Sequence, residues 1–221
     1  MGQILFRIGD NNFYVDNMYL ADSSTFDLFT HNFIQGDPNT ALVEPNSIVL
    51  TETTAKRLFG TVNPLNEIVK TDNLTLNVTG IMEDLPDNVH LDFNGLVSFT
   101  TATSGQPALT QQQKANHHWG VTLYSYVKLP KNYNVNNIYN KFPEFFDKHM
   151  KPLAQQLETL RETSFAPRLV PLNEVHFNSS VQYDLPTGNK AYTNAFMAIG
   201  LFVLILASIN YMNLATARTT K

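Results

Sequence analysis

The chain has 221 residues, 43% hydrophobic and 15% charged, which is enough to bury one substantial core or two small ones and too apolar for a disordered tail. A formal charge of −4, a pI near 5.8 and 15 scattered Lys and Arg exclude the basic field that nucleic acid requires. The absence of cysteine excludes disulfide frameworks and thiolate zinc sites, and is compatible with an oxidising compartment.

In chain order, MGQILFRIGDNNFYVD has no basic start followed by an apolar core, so it is not a secretory signal. Phe6 stands where a myristoylation site needs Ser or Thr. FYVDNMYLA (13–21) reads as a strand and DSSTFDLFTHNF as a short helix. Asp22, Ser23 or Ser24 would be the N-cap, with Asp27 in the first turn and Phe26, Phe29 and Phe33 at helical spacing. Gly36 with Asp37-Pro38 closes this unit. Ile48, Val49 and Leu50 predict a strand leading into a helix capped by Thr51. Glu52 lies at its positive end, Lys56 and Arg57 near its negative end, Gly60 after it, and Ala55, Leu58 and Phe59 face the core.

After the Asn63-Pro64 turn, EIVKTDNLTLNVTGIMEDLP alternates as a hairpin about Thr71-Asp72-Asn73, and HLDFNGLVSF adds one strand ending near Phe99. The polar stretch 100–118 is a loop or a poorly packed helix. GVTLYSYVKLP alternates as a strand. From Val135 to Arg161 the spacing predicts a helix that Pro143 and Pro152 keep from being straight, and RLVPLNEVHF follows as an extended segment.

The segment from Phe196 to Ala217 has 22 residues and no charge, so at ~1.5 Å per residue it spans ~33 Å against a hydrocarbon core of ~30 Å. The alternative, a buried core helix, is disfavoured by fourteen consecutive residues, 196–209, without a polar face. Arg218 and Lys221 follow at once while only Lys190 precedes closely, which puts the carboxyl end in the cytoplasm and residues 1–190 outside. With no export signal at the start, the expectation is a fragment cut after an upstream membrane helix and just beyond the next one.

Four stretches, ADSSTFDLF (21–29), NSIVLTETTAKRLFG (46–60), VTGIMEDLPDNVHLDF (78–93) and SINYMNLATART (208–219), in this order and spacing resemble the MacB-like periplasmic core domain and following FtsX-type membrane helix of ABC transporter permeases, in the form common in Bacteroidetes. The resemblance implies an α+β periplasmic core domain of two lobes. A βαβ-type lobe would take 10–44 and 119–178, with a mixed α+β lobe inserted at 45–118, a connector at 179–194 and a transmembrane helix at 195–217. It further implies a non-enzymatic inner-membrane subunit without cofactors, whose ATP is hydrolysed on a separate cytoplasmic ABC ATPase subunit. A second permease copy, giving a homodimer at full length, and a periplasmic or outer-membrane partner would complete the assembly. After Asn63-Pro64-Leu65 the family tends to have Gly then Lys; this chain has Asn66, which tolerates the same turn, and Glu67, which leaves any role for a basic side chain unfilled.

The residues are weighed against this resemblance one group at a time. No GxxxxGK[ST] loop, HExxH or GxSxG is present. His117-His118 beside Trp119 read as a metal site or as a plain loop-to-strand junction, and Glu83, Asp84 and Asp87 as a cation-binding turn or as solvated turn residues. Phe26, Phe29, Phe59, Phe93 and Phe99 pack a core or line a hydrophobic cargo surface. Asn210 and Asn213, three apart, share one face of the membrane helix, where they bond across to another helix or are met by interfacial water.

The function this implies is an extracytoplasmic domain that transmits ATP-driven motion to export or release a peptide, lipoprotein or other amphiphile. The alternative is a stationary scaffold recruiting an envelope enzyme or outer-membrane partner. An enzyme anchored by its tail would have only His90, His117 and His118 as candidate groups.

Overall fold

The computed structural model describes residues 3–60, 63–86, 89–104, 124–151, 168–177 and 188–219. Two compact units divide the chain, Met1–Pro167 and Arg168–Lys221.

The first unit is built on a mixed sheet of eight strands. β1 (Ile4–Ile8) and β2 (Asn11–Val15) form an antiparallel hairpin. At Asn17, with φ 51°, the chain leaves β2 and enters β3 (Met18–Ala21), so the strand expected over 13–21 is two strands. The short helix α1 (Thr25–Leu28) and β4 (Phe33–Gly36) follow, then β5 (Ser47–Thr51), helix α2 (Glu52–Phe59), β6 (Ile68–Lys70), β7 (Thr75–Met82), β8 (Gly95–Ser98) and the turn of helix α3 (Thr100–Thr103). The strand, helix and hairpin expected between 48 and 82 are all present, and Asn66 does take a left-handed φ of 69° in its turn.

The strand order is β2-β1-β6-β7-β5-β8-β3, with β4 added on β7. Seven strands abreast at ~4.8 Å would separate β2 from β3 by about 29 Å. Only Asp16 and Asn17 join them, and three peptide units reach ~11 Å at most. The sheet therefore curls until its two ends approach. Its concave content is a cluster that draws on nearly every strand: Phe6, Val15, Met18, Ile48, Leu50, Val69, Leu76, Val78 and Val97, together with Ala55 and Leu58 of α2. A second cluster, with Ala41, Leu42, Val49, Met82, Phe93 and Leu96, packs on the opposite face and takes in Phe26 and Phe33. β5 is buried at all five positions because its side chains feed both clusters, Ile48 and Leu50 one and Val49 the other. Of the phenylalanines expected in a core, Phe93 is buried in the second cluster, Phe26 packs against it, and Phe59 packs against the first.

One edge of β7 serves two partners. β6 pairs with Thr75–Asn77 and β4 with Gly80–Met82. Between them Thr79 bulges out of the β5–β7 ladder, and its hydroxyl donates to the Ala41 carbonyl at 2.6 Å. Gly36, at φ 87°, backs onto this bulge so closely that a Cβ there would lie 2.4 Å from the Thr79 carbonyl oxygen. The ladders β3–β8 and β4–β7 tie the segment 10–44 to the segment 45–118. The boundary expected at residue 45 thus runs through one continuous sheet; of 119–178, expected to complete the first lobe, 119–123, 152–167 and 178 lie outside the described residues.

Asp84 holds the start of α2. Its carboxylate accepts the Thr53 amide at 3.0 Å and the Thr53 hydroxyl at 2.6 Å, supplying from the end of β7 the cap that the Thr51 side chain, bonded instead to Thr54, does not give. Burial alone would raise the Asp84 carboxyl, but the two Thr53 hydrogen bonds and the nearby Lys56 charge outweigh it and hold the group below its ordinary 3.8. Asp84→Ala is expected to cost about 1 kcal/mol, read as a lower urea midpoint at unchanged slope. Because the folded carboxyl titrates lower than the unfolded one, this contribution is complete above the ordinary carboxylate range and fades as pH falls through the folded value. The two proteins should therefore converge in stability in strong acid; a gap that persisted there would show that the cap is not the cause.

Two expectations are corrected. Residues 124–130, expected to continue a strand, form none among the described residues; Val127 is 60% exposed, while Tyr126 packs edge-on against Phe29 with ring centroids 5.0 Å apart. The alternation there records one side chain lying on a neighbouring aromatic, not a ladder. The helix expected from Val135 is present: α4 (Asn136–Phe145) passes through Pro143 and gives way to a π-helical stretch, Phe146–Met150, while Pro152 lies outside the described residues. In the second unit, RLVPLNEVHF is not extended throughout, since Leu172–Val175 form a turn of helix, α5, after Pro171 at φ −56°. The last element is α6, Lys190–Thr219.

Candidate functional site: the apolar helix and its base

α6 runs for 30 residues, beginning five earlier than the 195 expected from composition. The early start has a local cause. The Asn189 side chain accepts the amides of Ala191 at 2.9 Å and Tyr192 at 3.4 Å, an N-cap that stands outside the apolar run. From Lys190 to Arg218 it is long and apolar enough to cross a membrane, and none of its most apolar window is buried. Exposed Tyr192 and Tyr211 lie 19 residues apart, ~28 Å along the axis, matching the separation of the two aromatic belts of a bilayer. Arg218 in the last turn marks the cytoplasmic end.

The polar residues of α6 divide into two kinds. Ser208 and Thr216 return their hydroxyls to the carbonyls of Leu204 and Met212, at 2.9 Å and 2.8 Å, and so carry no unmet donor into lipid. Asn210 and Asn213 cannot satisfy a whole amide in this way, and neither side chain has a hydrogen-bond partner among the described residues. Both are exposed, and they flank Tyr211 near the cytoplasmic interface.

At the other end the helix is fixed to a turn. The Gly188 amide donates to the His176 carbonyl at 2.8 Å, closing residues 172–177 onto the base of α6. A Cβ on Gly188 would lie 2.7 Å from His176 Nε2 and 3.2 Å from Phe177 Cε1, so any larger residue there would displace these two side chains.

The other candidate groups prove structural or lie outside the described residues. Glu83 accepts the Asn32 side-chain amide at 2.9 Å, Asp84 caps α2, and Asp87, His117 and His118 fall outside. His90 stands edge-on to Tyr124 and Tyr126, at 5.7 Å and 6.3 Å between centroids. His31 sits among Phe26, Phe29 and Phe93, and burial there lowers its pKa, so it is neutral at neutral pH. Among the described residues no group of three His, Cys, Asp or Glu is placed to hold a metal ion.

The family model of the MacB-like periplasmic core domain matches residues 3–144, a stretch that takes in all eight strands. The chain belongs to that family. In fold the MacB-like domain is similar to a domain assigned to a permease protein from Porphyromonas gingivalis, with a TM-score of 0.53 at 20% identity over 67% of this chain and 61% of that one. It therefore spans less than two thirds of that domain's length. Lower likeness extends to the periplasmic region of MacB from Actinobacillus actinomycetemcomitans (TM-score 0.43, 17% identity, 72% of this chain and 73% of that one). It extends also to the extracellular domain of the noncanonical ABC-type transporter YknZ from Gram-positive bacteria (TM-score 0.37, 18% identity, 47% and 53%). Comparison with curated proteins gave no match. Residues 3–144 are thus a MacB-like periplasmic core domain, and the chain carries one candidate span among the described residues.

Proposed function

We propose that this domain transmits motion driven by a cytoplasmic ABC ATPase across the inner membrane, in the export or release of a peptide, lipoprotein or other amphiphile at the periplasmic side. A second copy of the permease provides the surface to push against, and a periplasmic or outer-membrane partner receives the cargo. The observation that carries this reading is the base of α6. An N-cap at Asn189 and a hydrogen bond from Gly188 to His176 leave no slack between the candidate span and the turn preceding it, as a mechanical link requires. The segments 10–44 and 45–118 move as one body in this scheme, because shared ladders join them. Asn210 and Asn213 bond across to a neighbouring helix near the cytoplasmic interface; the absence of any other partner among the described residues supports that role.

The test is a flexible Gly-Ser insertion after Gly188 in the full-length protein. ATP-dependent activity should be lost while binding to the ATPase subunit is retained. Undiminished transport would overturn the mechanical reading.

A further inference from the structure

The turn at the base of α6 carries apolar side chains that the described residues leave partly exposed. Leu172 is 53% exposed and Phe177 40%, and Tyr192 and Phe196, in the first two turns of the helix, are 68% and 73% exposed. The Gly188–His176 hydrogen bond and the approach of the Phe177 ring to Gly188 set Phe177 level with the backbone two residues ahead of the helix. A further hydrogen bond, from the Phe177 amide to the Glu174 carbonyl at 3.1 Å, ties the ring to α5 and Leu172. Where α6 enters the bilayer, these side chains stand at the depth of its outer interface.

We infer that residues 172–177 form an interfacial anchor, with Phe177 and Leu172 inserted among the lipid headgroups of the periplasmic leaflet beside Tyr192. The occupant is lipid because the exposed surface is continuous with the lipid-facing start of a span. Phenylalanine and leucine beside a Tyr belt are the residues that partition at the headgroup and acyl boundary, ~5–10 Å deep. The anchor fixes the height and tilt of α6 against the membrane surface, so that movement of the span is delivered to the chain above it instead of being lost in sliding. The inference rests on α6 being a span, and the experiment separates the two.

This chain has no cysteine, so single cysteines introduced here, in a full-length protein whose other cysteines are replaced by serine, carry an environment-sensitive NBD label without background. Labels at Phe177→Cys, Leu172→Cys, Phe202→Cys and, on the sheet, Tyr14→Cys are compared in vesicles of phosphatidylethanolamine and phosphatidylglycerol. Doxyl quenchers are placed either near the head or near the tail of the acyl chain. The anchor predicts that 172 and 177 are quenched more by the shallow quencher, 202 more by the deep one, and 14 by neither. Quenching at 202 with none at 172 and 177 overturns the anchor and leaves the span standing. Blue-shifted but unquenched emission at 177 means that protein covers the site, which also overturns it. No quenching at 202 removes the span and the anchor together. As a second measure, Phe177→Ser combined with Leu172→Ser should lower the fraction of the vesicle-bound label at Tyr192→Cys that the shallow quencher reaches; an unchanged fraction counts against the anchor.

Discussion

Valine at position 36 is expected to detach β4 from the sheet and cost roughly 3–5 kcal/mol, lowering the melting temperature of the detergent-solubilised protein by roughly 10 °C. Two separate strains add. The backbone at Gly36 holds φ 87°, a conformation that side chains with a Cβ resist, and that Cβ would sit 2.4 Å from the Thr79 carbonyl oxygen and 2.9 Å from the Gly80 Cα. Both obstacles are backbone, so no rotamer change relieves them. Relief comes only by moving β4 off the one strand with which it pairs. Gly9 provides the control: it too has a positive φ, of 56°, but a Cβ there meets nothing within 4 Å. Gly9→Val should therefore show the conformational part alone, about 1–3 kcal/mol. Equal losses at the two positions would mean that the contact with the Thr79 bulge contributes nothing.

Leu50→Ala is expected to cost about 2–5 kcal/mol, by the loss of buried surface and the cavity left behind. Leu50 is fully buried in the middle of β5, the strand whose two edges hold β7 and β8 and whose two faces serve both hydrophobic clusters. Collapse around a missing side chain is hard there, because the cavity wall is the sheet itself and the curl of the sheet fixes the positions opposite. Ile68→Ala, on β6 where the side chain is 43% exposed, should cost well under half as much. Urea unfolding followed by circular dichroism measures both. A Leu50 midpoint no lower than that of Ile68→Ala would show that β5 is not the centre of the fold.

Local patterns in the sequence were enough to place β5, α2 and the β6–β7 hairpin. Each has its own signals: a run of Ile, Val and Leu, a Thr before Glu and a Gly after the last turn, a Thr-Asp-Asn link between alternating strands. The hairpin β1–β2 announces itself only by Gly9-Asp10 between two short runs of strand residues, of which Arg7, Asn11 and Asn12 break the apolar alternation. The curl of the sheet could not be read from any window. It follows from pairing β3 with β8, and that register is set by packing across the core, not by neighbours in the chain. At the candidate site, composition found the apolar helix but not its start, since the start signal is one capping amide, Asn189, outside the apolar run. The clasp between Gly188 and His176 left no pattern at all beyond a lone glycine. The link between TETTAKR and MEDLP, both in the stretches that carry the family resemblance, has a physical basis that only coordinates reveal: Asp84 caps α2 through Thr53.

The pairing of β3 with β8 bears on how the domain reaches its compartment. Among the described residues β3 hydrogen-bonds to no other strand, and roughly 70 residues separate the two in the chain. At a synthesis rate of about 5–20 residues per second, an emerging polypeptide would hold β3 unmatched for roughly 4–14 s after it left the translocation channel. Throughout that interval the Met18–Ala21 backbone is an open template for any passing strand, including the same segment of a neighbouring nascent chain. Until Gly95–Ser98 arrives the exposed edge is open to mispairing, so slowed synthesis of the stretch between the two strands is expected to lower the yield of folded domain without changing the stability of what does fold.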